Sequence, residues 1–151
     1  MNPSGPHPGW QERSLQLLGE EKLRKLQGSN ILVVGLGGVG AMAAEMLCRS
    51  GIGKMTIVDG DLIQAGNLNR QILATHSKLL QEKAPVMAER LLDINPGLEL
   101  KFLQEFLKEE RIPEILSEPF DYVIDAIDTL SPKIYLIYHS LEKGLKLTSS
   151  M

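Results

Sequence analysis

Four glycines within six residues, Gly35, Gly37, Gly38 and Gly40, restrict the fold of this chain more than any other feature. They follow an apolar run, Ile31, Leu32, Val33 and Val34, with the length and branching of a strand buried on both faces. Residues 39–50 then read as a helix, and a second apolar run over 55–58 ends on Asp59, 19 positions beyond Gly40. Gly35 permits a sharp exit from the first strand, and Gly40 lets the helix pack closely against it. A side chain at Gly37 or Gly38 would keep a phosphate away from the backbone amides. Free N–H groups and the dipole at the helix start favour an anion, by ~0.3–1 kcal/mol for the dipole alone at an exposed site. Asp59, at the strand end, can accept hydrogen bonds from a ribose.

Strand, glycine turn, helix, strand and terminal acid make the order of a Rossmann-type nucleotide site, which leaves the nucleotide itself open. The rest of the composition fits one domain. With 151 residues, 43% of them hydrophobic, the chain has material for a proper core. No apolar run approaches the ~18 residues of a membrane span. Residues 1–10, MNPSGPHPGW, lack a basic, apolar, cleavable pattern and read as a flexible leader. The single cysteine, Cys48, excludes an internal disulfide and a CxxC zinc site. Among apolar neighbours on the glycine-turn helix it reads as a buried structural thiol, with a reducing cytoplasm as the setting. A net charge of -3 argues against bulk electrostatic binding of nucleic acid and leaves room for a local basic patch. His7, His76 and His139 have neither ligand spacing nor a nucleophile partner and read as surface or structural residues.

Along the chain, Leu15, Leu18, Leu23 and Leu26 give residues 11–27 amphipathic helix spacing, broken near Gly19 into two short helices. Arg13 lies on this arm. Gly51 reads as a helix C-cap, followed by a strand over 54–59. Residues 60–83 are polar, without a period, and contain GNLNRQ at 66–71. A long irregular segment inside an α/β domain is usually functional or disordered, and two asparagines, an arginine and a glutamine favour binding of a phosphorylated ligand. Pro85 suits the first turn of a helix with Met87, Leu91, Leu92 and Ile94 as its apolar face, stopped by Asn95-Pro96-Gly97. A strand over 98–103, a short helix over 109–116 and a buried strand over 120–127 follow, then a helix over 132–143 closed by Gly144 and a strand over 145–149. Right-handed crossovers make this a doubly wound, mainly parallel α/β sheet of order 3-2-1-4-5 with helices on both faces. The glycine turn, Asp59, Asp125 and Asp128 then leave neighbouring strands on one edge. Acids placed there could hold Mg²⁺, which keeps phosphate and water ligands.

Together GLGGVG (35–40), DGD (59–61), NLNRQ (67–71), Lys83 and DAID (125–128) resemble the ThiF/MoeB/HesA superfamily of ATP-dependent activating enzymes, which includes the ubiquitin-activating enzymes. The resemblance runs from about Arg13 to the last residue. It implies that Gly35, Gly37, Gly38 and Gly40 cradle the phosphates of ATP and that Asp59, with Asp61 beside it, takes the ribose. Asn67, Asn69, Arg70, Gln71 and Lys83 would surround the triphosphate, Arg70 and Lys83 neutralising charge on leaving pyrophosphate. Asp128 would be the Mg²⁺ acid, with Asp125 as a second candidate. Arg13 would reach into the partner subunit's site, which implies a homodimer. The implied reaction is attack of a substrate carboxylate on the α-phosphate of ATP, giving an acyl-adenylate and pyrophosphate, with positioning and cation clamps supplying most of the rate.

Within the superfamily, RSGIG before the second strand, asparagine at position 69, DAIDTLSPK and the terminal LTSSM point to a branch acting on tRNA. That branch activates the carboxylate of a modified adenosine and closes it to a ring. Activation of a ubiquitin-like sulfur-carrier C-terminus, of thiamine or molybdopterin type, is the alternative, and there glutamine is expected at 69. A dinucleotide-dependent oxidoreductase would leave NLNRQ, Lys83 and Asp128 without a role. A non-catalytic partner subunit that keeps the fold is a further reading. Three departures from the family pattern stand out. Trp10 and Gln11 replace an arginine-aromatic pair before Arg13, and Leu80 stands where many members have glycine. The third is the end at Met151, where the pattern runs on through a Gly-rich crossover into a substrate-handling half. Residues 11–151 therefore read as the ATP-binding domain of an activating enzyme, truncated at its C-terminal end, with most tRNA contacts expected beyond it.

Overall fold

The structure is a computed structural model and describes residues 9–150. A 3-10 turn at Gly9–Gln11 leads into helices α1 (Glu12–Leu18) and α2 (Glu20–Gln27), which part at Gly19 with φ of +78°. Strand β1 (Asn30–Val34), helix α3 (Gly38–Ser50) and strand β2 (Lys54–Val58) form the first crossover unit. The remainder is α4 (Lys83–Ile94), β3 (Glu99–Leu103), α5 (Ile112–Ile115), β4 (Tyr122–Asp125), α6 (Leu130–Glu142) and β5 (Lys146–Ser149). The five strands are all parallel, in the order β3-β2-β1-β4-β5. The expected topology is the observed one.

β1 is central and buried on both faces, which is why it reads as an unbroken apolar run rather than an alternating one. Ile31 and Val33 point into one core with α3 and α4, where Ala44, Cys48, Met87 and Leu91 are fully buried. Leu32 and Val34 enter a second core with α5 and α6, around Ile112, Val123 and Leu136. Each fully buried aliphatic side chain contributes roughly 1.5–3 kcal/mol. On the α3 side the sheet is covered only as far as β1. Tyr122 and Ile124 of β4 remain half-buried beside a cleft of about 670 Å³. No helix among the described residues is long and apolar enough to cross a membrane.

Several boundaries differ from the sequence reading for identifiable reasons. α4 begins at Lys83, two residues before Pro85, so the lysine belongs to the helix and not to the loop. Its buried face is Ala84, Met87, Ala88 and Leu91, while Leu92 is 40% exposed. The 120–127 strand shortens to Tyr122–Asp125: the Ala126 N–H makes the last rung to the Val34 carbonyl, and the Ile127 N–H then turns back to the Asp125 side chain. The 109–116 helix is a 3-10 turn, Glu109–Arg111, followed by the single α-turn of α5.

The polar segment over 60–83 is tied down at both ends and in the middle. Leu62 bridges Glu82 in antiparallel fashion, the Leu80 N–H donates to the Ile63 carbonyl at 2.8 Å, and Ile63 and Leu73 enter the core. The return of this loop puts Leu80 at φ +65°, with the side chain 77% exposed. Glycine fits this left-handed position without the Cβ clash that leucine suffers. Leu80→Gly is therefore expected to raise the unfolding free energy by about 0.5–1 kcal/mol in urea titrations. Relief of roughly 1–2 kcal/mol of backbone strain exceeds the added chain entropy of ~0.5–1 kcal/mol. A destabilised variant would mean that the leucine side chain has a packing role.

Candidate nucleotide-binding site

Where β1 ends, the chain turns at Gly35, with φ of +90°. A Cβ there would stand 2.5 Å from the Ala126 carbonyl oxygen, and one at Gly40 would stand 1.7 Å from the Gly35 carbonyl oxygen. Only glycine lets α3 start this close to the ends of β1 and β4. Asp59, one residue past β2, locks the turn: its Oδ2 accepts the Leu36 N–H at 2.6 Å and its Oδ1 the Asp61 N–H at 2.8 Å. The first-turn amides of α3, at Gly38 and Val39, have no partner among the described residues. Unpartnered first-turn amides of this kind favour an anion.

The polar segment folds over that end. A Cβ at Gly38 would lie 3.5 Å from the Arg70 carbonyl oxygen and one at Gly37 would lie 3.8 Å from Gln71 Nε2. Arg70 is exposed and its Nη1 donates to the Gly66 carbonyl at 2.7 Å and to Asn69 Oδ1 at 2.9 Å. Gln71 is buried, and its Oε1 has no hydrogen-bond partner among the described residues, a costly state that a ligand or water donor would relieve. Asn67 shapes the loop from within, its Oδ1 accepting the Gln64 N–H at 2.9 Å. Lys83 is buried along its stem, with Nζ 2.9 Å from Asp61 Oδ2 and the Asp61 carboxylate half-exposed. Arg70 thus packs beside the glycine turn and Lys83 pairs with Asp61, two residues beyond Asp59, each held by a partner from the same loop.

The two acids of DAID separate. Asp125 is fully buried, taking Lys133 Nζ and Ser149 Oγ on Oδ2, each at 2.6 Å, and the Ile127 N–H on Oδ1 at 3.1 Å. Asp125 is therefore sealed from solvent and paired with Lys133, whereas Asp128 is open to it. Asp128 is exposed beyond the end of β4 and has no hydrogen-bond or ion-pair partner among the described residues. No cluster of three or more potential metal ligands occurs among those residues.

Arg13 does not join the site of its own chain. Gln11 is buried, accepts a 3.0 Å hydrogen bond from Gln27, and packs on Gly51 at the C-terminal end of α3. That is about 20 Å along the helix from the glycine turn. Arg13 itself is exposed and, among the described residues, bonds Gln16. His7 and the first eight leader residues lie outside the described residues, and Gly9 and Trp10 belong to the opening 3-10 turn. His76 is exposed, and His139 stands 3.3 Å from Glu142.

Two residues with work at this edge escaped the sequence reading. Gln104, just past β3, accepts the Ala84 N–H and donates to the Asp61 carbonyl, each at 3.1 Å, capping the helix that carries Lys83. Lys133 holds Asp125. A lysine on the buried face of an otherwise apolar helix was the available signal for the second; a lone polar residue after an edge strand offered none for the first.

An α/β sheet with an open helix end, an acid at the second strand and a loop carrying cations over the turn defines a nucleotide-binding protein of the doubly wound class. The chain belongs to the ThiF family, whose pattern it matches over residues 11–151. It is 42% identical over 134 residues to tRNA threonylcarbamoyladenosine dehydratase of Bacillus subtilis, covering 89% of this chain and 53% of the relative. The E. coli tRNA N6-threonylcarbamoyladenosine dehydratase solved in complex with ATP superposes with a TM-score of 0.89 at 38% identity, over 93% of this chain and 59% of that one. Molybdopterin-synthase adenylyltransferase of Haemophilus influenzae is 35% identical over 118 residues, 78% of this chain and 47% of the relative. The chain spans about half the length of these curated relatives.

Cys48 sits apart from this chemistry, fully buried with its thiol against the Leu91 carbonyl at 3.4 Å. Burial pushes the thiol up to about 11, leaving it protonated at neutral pH. Alkylation by iodoacetamide at pH 8 is expected to be about a hundredfold slower in the native chain than in urea. Equal rates would show that the helix opens readily.

Proposed function

We propose that this chain is the ATP-binding half of an activating enzyme that converts a carboxylate to an acyl-adenylate. On this reading the carboxylate belongs to threonylcarbamoyladenosine in tRNA, which then closes to a ring with net loss of water. The observation that carries the proposal is the seating of Arg70 and Gln71 over Gly37 and Gly38, at the unpartnered amides of α3. A dinucleotide site needs the glycine turn and the acid but no arginine and lysine poised above them.

The chain's own groups account for the first chemical step. The α3 amides hold phosphate oxygens, and Arg70 and Lys83 exchange the Gly66 carbonyl and Asp61 for the charge that grows on pyrophosphate as it leaves. Asp59 is committed on both oxygens to backbone amides, yet each oxygen keeps acceptor capacity for a ribose hydroxyl. Asn67 and Asn69 set the loop that aims Arg70, and the free Oε1 of Gln71 accepts from the bound nucleotide or its water. Asp128, exposed and unpaired, fits the residue that would hold Mg²⁺, which when bound supplies charge neutralisation at the phosphates. Positioning and electrostatics, not covalent help from the protein, then supply the rate.

Arg13 supports a homodimer, since an arginine held at the far edge of its own sheet can serve a nucleotide site only in a second copy. A tRNA substrate is compatible with the net charge of -3 if the basic surface lies in the other half of the enzyme. A cytoplasmic location follows from such a substrate. The 35% identity to a molybdopterin-synthase adenylyltransferase supports a second reading, in which the carboxylate is the C-terminus of a ubiquitin-like sulfur carrier.

Calorimetry is expected to show binding of ATP–Mg²⁺ by the chain and none of NAD at the same concentrations; tight NAD binding without ATP binding would defeat the proposal. In a full-length version, Arg70→Ala is expected to lower ATP–pyrophosphate exchange by about 10²–10³-fold while circular dichroism stays unchanged. Exchange stimulated by threonylcarbamoyl-modified tRNA favours the first substrate, and exchange stimulated only by a carrier C-terminus favours the second.

A further inference from the structure

Lys133 lies on α6 and points back into the sheet, with its side chain only 6% exposed. Its Nζ donates to Asp125 Oδ2 at 2.6 Å, to the Ser150 carbonyl at 2.9 Å and to Ser149 Oγ at 3.1 Å, so its three donors are all used. Ser149 Oγ donates in turn to the same Asp125 oxygen, and Asp125 Oδ1 receives the Ile127 N–H. One ammonium thus joins α6, the end of β4 and the end of β5.

Burying an ion pair adds little net stability compared with an apolar pair of the same volume. What such a pair with saturated hydrogen bonds supplies is direction. The segment whose direction it sets is the turn over 126–128. At one end of that turn Ala126 forms the floor of the glycine turn, its Cβ 3.0 Å from where a Gly40 Cβ would be. At the other end stands Asp128, which is exposed and has no partner among the described residues. The bond from Ile127 to Asp125 lies between them.

We propose that Lys133 is a positioning residue of the nucleotide site. Acting through Asp125 and Ser149, it holds the 126–128 turn so that Asp128 meets the divalent cation of ATP–Mg²⁺. This rests on the ATP–Mg²⁺ reading above. Lys133→Met alone would strand a buried carboxylate, so the informative variant is Lys133→Met with Asp125→Asn, which removes both charges and keeps an acceptor for Ile127. Ser149→Ala removes one hydrogen bond from the same network without touching a charge.

The measurement is ATP affinity of the full chain by calorimetry, once with Mg²⁺ and once in EDTA. The parent is expected to bind ATP more tightly with Mg²⁺. In the double variant that gain is expected to shrink at least fivefold, and in Ser149→Ala at least twofold, while affinity in EDTA changes less than twofold. A folded double variant with the parental Mg²⁺ gain overturns the proposal. So does an equal loss with and without Mg²⁺, which a merely structural network would produce. If the double variant fails to fold by circular dichroism, Ser149→Ala decides alone, and a parental Mg²⁺ gain there overturns the assignment. A parent that binds no ATP overturns the nucleotide reading and this one with it, whereas a binding parent with unchanged variants overturns this one alone.

Discussion

The close approach of α3 to the ends of β1 and β4 is the contact on which the site depends. A carbon at Gly40 would sit 1.7 Å from the Gly35 carbonyl oxygen, and one at Gly35 would collide with Ala126. With neither carbon present, the first turn of the helix lies against the sheet edge and its free amides open toward the crevice. Asp59 then ties the turn to the second strand through the Leu36 N–H. A single packing requirement therefore leaves the helix amides open, orients the acid beside them and seats the 126–128 turn beneath them.

Around that contact the charges are arranged in pairs of unequal commitment. Lys133 and Asp125 are both buried and saturated, and they act as a fixed cross-link. Lys83 is buried but its partner Asp61 is half-exposed, and Arg70 is held mainly by a carbonyl of its own loop. Exposed or half-exposed pairs are worth little in water, so they exchange readily for a stronger anion. The gradient runs from a rigid floor under the glycine turn to adaptable cations above it. Gln104 belongs to the rigid part, because it holds the start of α4 and thereby the base of Lys83.

The strands, their order and the glycine turn were legible because each rests on a short pattern with a direct physical cause. Ile31 to Val34 are uniformly apolar because both faces of β1 are covered, and Gly19, Gly51 and Gly144 mark helix ends where φ is positive. Less legible were the ends of elements, where a cap or a cross-chain bond decides. Gln104 and Asp61 draw α4 back to Lys83, and the bond from Ala126 to Val34 is the last rung of β4 before the chain turns. Leu80 was visible only as an unusual residue. Its backbone angle explains why a side chain there is unfavourable.

By itself the sequence determined the fold class, the strand order and the sheet edge at which the glycine turn, Asp59 and DAID come together. Those follow from periodicity, glycine spacing and the handedness of crossovers, all of which act between near neighbours or whole elements. Only the tertiary structure decided which of two acids in DAID is buried and which exposed, that Lys133 is the partner of the buried one, and that Arg13 lies at the far edge from its own glycine turn. These depend on side chains brought together from different elements, and on whether a charge is buried with a partner or left in water. Spacing along the chain carries no record of that.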